Sequence, residues 1–286
     1  MNKTVRNLRP YILLILFFAS IFIWYVVVVK SEKGNLTVSV LDIGQGDAIF
    51  IESPTGSQIL VDGGPGRIVL SALPRVMPFF DHSIDLLVIS NPDKDHIGGF
   101  IDILRSYEVG AVLLPGTINE SEVYETLLSV IEENGVLIIK GRRGEKINLG
   151  GGAYIDVLFP DRDVSGLDTN TGSLVAKLIY GESSMLLTGD SPENIEQYLI
   201  RLDGQRLKSD VLKVGHHGSK TSTSIPFLGY VSPQYAAISV GADNSYGHPN
   251  KETIDALNQF EVETYRTDKE GTIRFVSDGS RFRLKN

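Results

Sequence analysis

The sequence predicts an α+β body, two mixed sheets packed together beneath outer helices, preceded by one membrane-spanning helix. Three observations predict it. Residues 11–29 form an uncharged apolar run, and from residue 36 onward short apolar strands alternate with helices. The polar clusters fall at the ends of those strands, where layered folds carry their chemistry.

The run at 11–29 (YILLILFFASIFIWYVVVV) holds only Ser20 as a small polar residue. Nineteen residues at about 1.5 Å each come close to the roughly 30 Å of a bilayer core. Tyr11, Trp24 and Tyr25 suit interfacial positions. A cleavable signal would have a shorter apolar region followed by a small-x-small site, whereas here four valines run into Lys30. The expected order is therefore a basic N-terminal segment (1–10), an anchor (11–29), a linker (30–35) and one domain (36–286). Lys3, Arg6 and Arg9 precede the run, against Lys30 and Lys33 after it. That bias predicts a single-pass protein of the cytoplasmic membrane with its C-terminal domain outside.

In the body, 36–42, 48–53, 58–61 and 85–90 read as strands, followed by a helix over 97–107, a strand at 112–114 and a helix over 120–134. The middle is strand-rich, at 154–159, 173–180 and 184–188. A helix over 192–202 follows, with Pro192 suited to its first turn. Next come a strand at 210–214, a helix over 222–229, a strand at 235–240 and a helix over 251–259. Strands at 261–266, 272–277 and 281–284 close the chain.

Composition narrows the function classes. With 42% hydrophobic and 22% charged residues the chain is an ordinary globular one, which excludes disorder and coiled coil as the dominant state. It has no cysteine, so disulfides, thiolate metal sites and a cysteine nucleophile are excluded. Residues 1–30 carry four basic groups and no acid, so a total of −8 leaves −12 on residues 31–286. So acidic a body lacks a broad electrostatic surface for DNA, although a local groove is permitted.

The chemistry concentrates in four loops. At 86–100 (LLVISNPDKDHIGGF) an apolar strand runs into Asn91, Asp93, Asp95 and His96, whose donors converge if the chain turns there. Carboxylate oxygen and imidazole nitrogen suit zinc or manganese. Asp190 lies just past another apolar strand, where it reads equally as a helix cap. His216 and His217 end a third strand, and His248 sits in a Gly-His-Pro loop. Four of the five histidines thus occupy strand-end loops bounded by glycine. Gln45 and Asp47 lie in a tight turn that could equally be a plain hairpin connection. Asp62 precedes two glycines, either backing a metal shell or completing a structural turn. Ser219 is a possible phosphate contact or a helix cap.

These pieces resemble the metallo-beta-lactamase superfamily, specifically the C-terminal hydrolase-like domain of the ComEC competence DNA-uptake proteins. The matching stretches are 41–48 (LDIGQGDA), 60–64 (LVDGG), 90–99 (SNPDKDHIGG), 170–174 (NTGSL), 187–190 (LTGD), 214–219 (VGHHGS) and 246–249 (YGHP). They occur in the family's order and span nearly all of 36–286. The resemblance implies a four-layer αββα sandwich with a metal site along one edge. It implies Asp95, His96 and His248 as ligands of a second metal and Asp190 as the bridging carboxylate. The first-metal pattern His-x-His-x-Asp-His becomes Asn91-Pro-Asp93-Lys-Asp95-His96, so Asn91 and Asp93 stand at the first-metal positions. No histidine occurs between 96 and 216 to serve as the family's middle ligand; Asn170 or Ser173 lies where compensation could come from. His216 and His217 serve as ligand or as proton donor and anion contact.

The expectation is thus a metal-dependent hydrolase with one or two zinc or manganese ions, and with Asp95, His216 and His217 in the chemistry. The expected reaction is that of a phosphodiesterase or nuclease related to competence DNA processing, acting on DNA or another phosphodiester. The alternatives are a small-molecule phosphoesterase and a non-catalytic envelope or DNA-binding module with a degraded metal site, which would engage an envelope protein partner.

Overall fold

The computed structural model describes residues 3–31, 34–78 and 80–285; the side chains of 3–10 and 26–31 lie outside the described ones. The chain begins with α1 (Lys3–Ser31). The strands β1 (Leu36–Val40), β2 (Ile49–Glu52), β3 (Gln58–Val61), β4 (Ser83–Val88), β5 (Glu108–Leu114) and β6 (Leu137–Lys140) open a first sheet. A second sheet follows from β7 (Lys146–Gly150), β8 (Ala153–Phe159), β9 (Val175–Tyr180), β10 (Ser183–Leu187), β11 (Val211–Lys213), β12 (Tyr235–Ile238) and β13 (Glu263–Arg266). The chain then returns to the first sheet with β14 (Ile273–Ser277) and β15 (Phe282–Lys285). The orders are β15-β14-β1-β2-β3-β4-β5-β6 and β13-β12-β11-β10-β9-β8-β7.

Strand periodicity explains the layering. Successive side chains point to opposite faces, so a strand buried on both sides reads as a continuous apolar run. In β4, Leu86 and Val88 join Val38, Ile51, Val157, Met185 and Phe275 in the core between the sheets. Leu87 points the other way, to Phe100, Ile103 and Leu127 of the outer helices. Leu186 and Leu212 do the same on the second sheet, against Leu199, Leu228 and Leu257. Three apolar layers between four structural ones make the expected αββα sandwich. Its outer helices are α2 (Ile68–Ala72), α4 (Phe100–Ser106) and α5 (Glu122–Glu133) on one side. On the other lie α6 (Glu193–Asp203), α7 (Ile225–Val231) and α8 (Lys251–Gln259).

Two expectations need correction. The helix expected over 97–107 is broken into α3 (Lys94–Ile97) and α4, because Gly98 and Gly99 sit between them. A Cβ on Gly99 would lie 2.0 Å from the Gly63 carbonyl oxygen, so only glycine lets the helix start this close to β3.

The second correction concerns the membrane anchor expected over 11–29. Among the described residues, no helix is long and apolar enough to cross a membrane. The single-pass topology, the membrane as a partner through this helix and the extracytoplasmic placement of the body are withdrawn with it. The basic side chains of Lys3, Arg6, Arg9 and Lys30, on which the orientation rested, lie outside the described ones.

The parallel pairs β3–β4, β10–β11 and β11–β12 set the site. Asp62 directly follows β3, the 90–96 loop follows β4, Asp190 follows β10, and His216 and His217 follow β11.

Candidate metal centre

His96 and His217 lie at the centre of the cluster, fully buried, with ring centroids 5.4 Å apart. Each is held from behind by an acceptor. His96 Nδ1 lies 2.9 Å from Asp62 Oδ2, and His217 Nδ1 lies 3.0 Å from the Ser239 carbonyl oxygen. A carboxylate or carbonyl only accepts, so both imidazoles donate from Nδ1 and turn Nε2 forward. His96 Nε2 then faces Asp190 Oδ2 at 3.1 Å, and His217 Nε2 faces Asp95 Oδ2 at 3.3 Å and Asp190 Oδ2 at 3.9 Å.

Neither Nε2 atom has a hydrogen-bond partner, and neither does Asp190 Oδ1. Two buried lone pairs facing carboxylates demand a cation between them. A proton can supply it, as the electrostatics show. Burial opposes charging of His96, but Asp190 and Asp62 outweigh it and raise the imidazole well above its ordinary value. Burial likewise opposes charging of His217, yet Asp190 and Asp47 push it up to about 10. Burial would raise Asp190; the His96 and His217 charges instead hold it well below the carboxylate range. A divalent ion satisfies the same field with better-suited ligands. Three overlapping sets of ligand atoms each lie within 4.8 Å of one another: Asp95–His96–His217, Asp47–Asp190–His217 and Asp47–Asp62–His96. These Asp/His clusters fit a divalent metal cofactor of the zinc type.

The wall behind the histidines is built with unusual backbone. Asp62, His216 and His217 all have positive φ (58°, 48° and 54°), a region that side chains with a Cβ avoid. Such outliers persist where the surroundings over-determine them. Asp62 accepts the Ser90 N–H at 2.8 Å and the Ser90 hydroxyl at 2.5 Å. Burial pushes its pKa up, against the lowering influence of His96. Gly46, at φ 123°, passes so close to the Asp95 carbonyl that a Cβ there would lie 2.1 Å from it. Asp47 thereby tucks behind His217, its Oδ2 2.8 Å from Lys213 Nζ.

Lys213 escaped the sequence reading. It is 1% exposed, sits at an inward position of β11 beside Val211's, and bonds the Val214 carbonyl as well as Asp47. The available signal was a lysine inside the apolar run Val211–Val214, where strand periodicity turns its side chain into the core. Burial opposes ionisation of Asp47, but Lys213 and His217 reverse this and hold it far below the usual range.

A cleft of about 180 Å³ opens over the centre, lined by Gln45, Asp93, Asp95, Asn170, Asp190, His216, His217, Tyr246 and His248. The expected residues thus meet in one place but divide by position. His216 Nε2 lies 3.8 Å from Asp190 Oδ2, and its Nδ1 lies 3.2 Å from Thr221 Oγ1. His248 stands outside the three ligand sets, with its ring 5.6 Å from that of His216 and stacked on Tyr246. Burial and the neighbouring His216 and His217 lower its pKa. Gln45 Oε1 accepts the Gly241 N–H, and Ser219 Oγ pairs with Thr221 in a local turn. Asn91, Asp93, Asn170 and Ser173 hydrogen-bond among themselves and with Asn119 and Thr169, two partners with no signal in the sequence.

A family model described as the Metallo-beta-lactamase superfamily matches residues 41–241. The chain belongs to this superfamily. Among curated relatives it is 31% identical over 272 residues to ComE operon protein 3 of Bacillus subtilis, across 89% of this chain and 34% of that protein. It is 32% identical over 249 residues to Recombination protein 2 of Haemophilus influenzae, across 86% of this chain and 29% of that protein. The chain spans about a third of the length of the curated relatives it matches. Among solved structures it resembles CmlA, a diiron beta-hydroxylase from Streptomyces venezuelae, with a TM-score of 0.54 at 16% identity, covering 81% of this chain and 52% of that one. At that identity the likeness concerns the fold alone. Membership of the metallo-beta-lactamase superfamily and the Asp/His clusters together place the chain in the metal-dependent hydrolase class, without selecting a reaction.

Proposed function

We propose that the chain is a metal-dependent phosphodiesterase of the ComEC type, a nuclease domain acting on DNA, formed by residues 36–286. The observation that carries this reading is the convergence of His96 Nε2, His217 Nε2, Asp95 and Asp190 on one point beneath an open cleft. The choice of DNA draws on the relatives, among them a protein named Competence protein ComA from Neisseria gonorrhoeae at 30% identity over 244 residues.

An ion held by those four residues would supply Lewis acidity and water activation near neutral pH. The chain's own residues do the rest. Asp62 and the Ser239 carbonyl keep both imidazoles turned with Nε2 toward the ion. His217 is thereby a ligand, and its half-exposed neighbour His216 is the proton donor, with Nε2 in the cleft to protonate the leaving oxygen. His248, whose pKa burial and the neighbouring His216 and His217 lower, packs its ring beside that of His216 in the cleft wall. The acidic cleft wall of Asp93, Asp95 and Asp190 would repel a phosphodiester unless a bound cation offset its charge.

The test is metal-dependent cleavage by the full chain, with zinc and manganese in turn, of single-stranded DNA, double-stranded DNA and bis(p-nitrophenyl) phosphate. Metal-stimulated cleavage of DNA, lost in D190N, is the expected result. A folded, metal-loaded chain that cleaves none of the three would overturn the proposal.

A further inference from the structure

We infer that this centre takes a single divalent ion, because the side chains at the place of a second one have satisfied one another. The inference rests on the metal-dependent reading above and concerns how many ions that reading involves.

Asn91 decides it. The residue is fully buried, and its Oδ1 accepts the Asp93 backbone N–H at 2.9 Å. A backbone N–H only donates, so the orientation of the amide is fixed without ambiguity. Nδ2 must then point forward, donating to Asn170 Oδ1 at 2.8 Å and to Ser173 Oγ at 3.4 Å. Where a ligand would offer a lone pair, Asn91 offers two N–H hydrogens, which a cation avoids.

Asp93 is engaged as well, with one donor on each carboxylate oxygen. Its Oδ1 accepts from Asn119 Nδ2 at 2.7 Å and its Oδ2 from Thr169 Oγ1 at 2.9 Å. Ser173 Oγ in turn donates to the Thr169 carbonyl at 3.3 Å, and Asn170 Oδ1 is already occupied by Asn91. Turning Asn91 to present its oxygen would strand the Asp93 N–H and the Asn170 carbonyl together, in return for one neutral and weak ligand. On the His96 and His217 side the forward nitrogens face Asp190 and Asp95 at 3.1 and 3.3 Å without a hydrogen bond. The first arrangement is a closed clip; the second aims two buried nitrogens at carboxylates, a donor set for one cation.

The experiment is to strip the full chain of metal, reload it with Mn²⁺ or Zn²⁺, desalt it, and measure ions per folded chain by elemental analysis, with electron paramagnetic resonance on the manganese form. The expected result is one ion per chain and an uncoupled manganese spectrum. D190N should fall to none, while N91A, shown folded by circular dichroism, should still hold one. Two ions per chain with a spin-coupled manganese pair would overturn the inference and leave the metal-dependent reading standing. No ion in the folded wild-type chain would overturn both. Loss of the ion in folded N91A would make Asn91 a ligand and also overturn the inference.

Discussion

The two walls of the cleft are built from similar residues and behave oppositely. On the His96–His217 wall, buried nitrogens point at carboxylates without a hydrogen bond, and the acceptors behind them force that orientation. On the Asn91–Asp93 wall every polar atom named above has a protein partner. Residue type alone does not separate the walls, since each carries carboxylates at strand ends. What separates them is satisfaction. A buried polar atom left without a partner carries a cost, and a ligand that binds there removes it.

The largest expected effect comes from disturbing what supports the first wall. Lys213→Met removes the ammonium from a fully buried pair and leaves the Asp47 carboxylate uncompensated, at a cost of about 3–5 kcal/mol. Urea unfolding of the metal-free chain measures this; a loss below ~1 kcal/mol would mean that Asp47 is stabilised by something other than the lysine. Next is Asp62→Asn, which replaces one of the two oxygens shared by Ser90 and His96 with an NH2 that cannot accept, so the His96 tautomer is no longer held by a carboxylate. Metal affinity should fall about 10- to 100-fold, read by chelator competition, with the fold retained. An unchanged affinity would show that His96 is oriented by its packing alone.

The pH dependence sharpens the same contrast. In the metal-free chain the raised pKa of His217, at about 10, contributes stability that is complete below the unfolded value near 6.5 and is lost as pH rises toward 10. His96, also raised, adds to the loss in the same direction. Thermal melting in the presence of chelator should therefore fall steadily across that window. Metal must displace these protons, so its apparent affinity should rise with pH over the same range. A metal-free chain whose melting temperature stays flat from pH 6.5 to 10 would contradict protonation of the two imidazoles. The smallest effect belongs to the second wall. Thr169→Val deletes one hydrogen bond to Asp93 and should cost about 1–3 kcal/mol, while the number of bound ions stays unchanged.

Much of this protein follows from sequence alone. The alternation of apolar strands and helices gives two sheets and outer helices, and the 90–96 loop, Asp190, and the His216 and His248 loops announce a polar strand-end site. Local periodicity and strand ends are written in neighbouring residues, so they need no knowledge of what lies across the fold. The short β6 and β7 were missed for the same reason: four or five residues beside glycines and charges give too little period to read.

Only the tertiary structure decided which atoms meet. Asp62 reaches His96 because β3 and β4 pair in parallel register, and Lys213 reaches Asp47 because β11 turns it into the space between the sheets. His217 rather than His248 joins the ligand sets, and Asn91 turns its N–H groups outward because a backbone donor holds its oxygen. Each of these outcomes depends on which atom of a side chain faces a partner many residues away. A sequence specifies that an imidazole or amide is present at a strand end; sheet register and the hydrogen bonds behind it specify which atom is left over for a ligand.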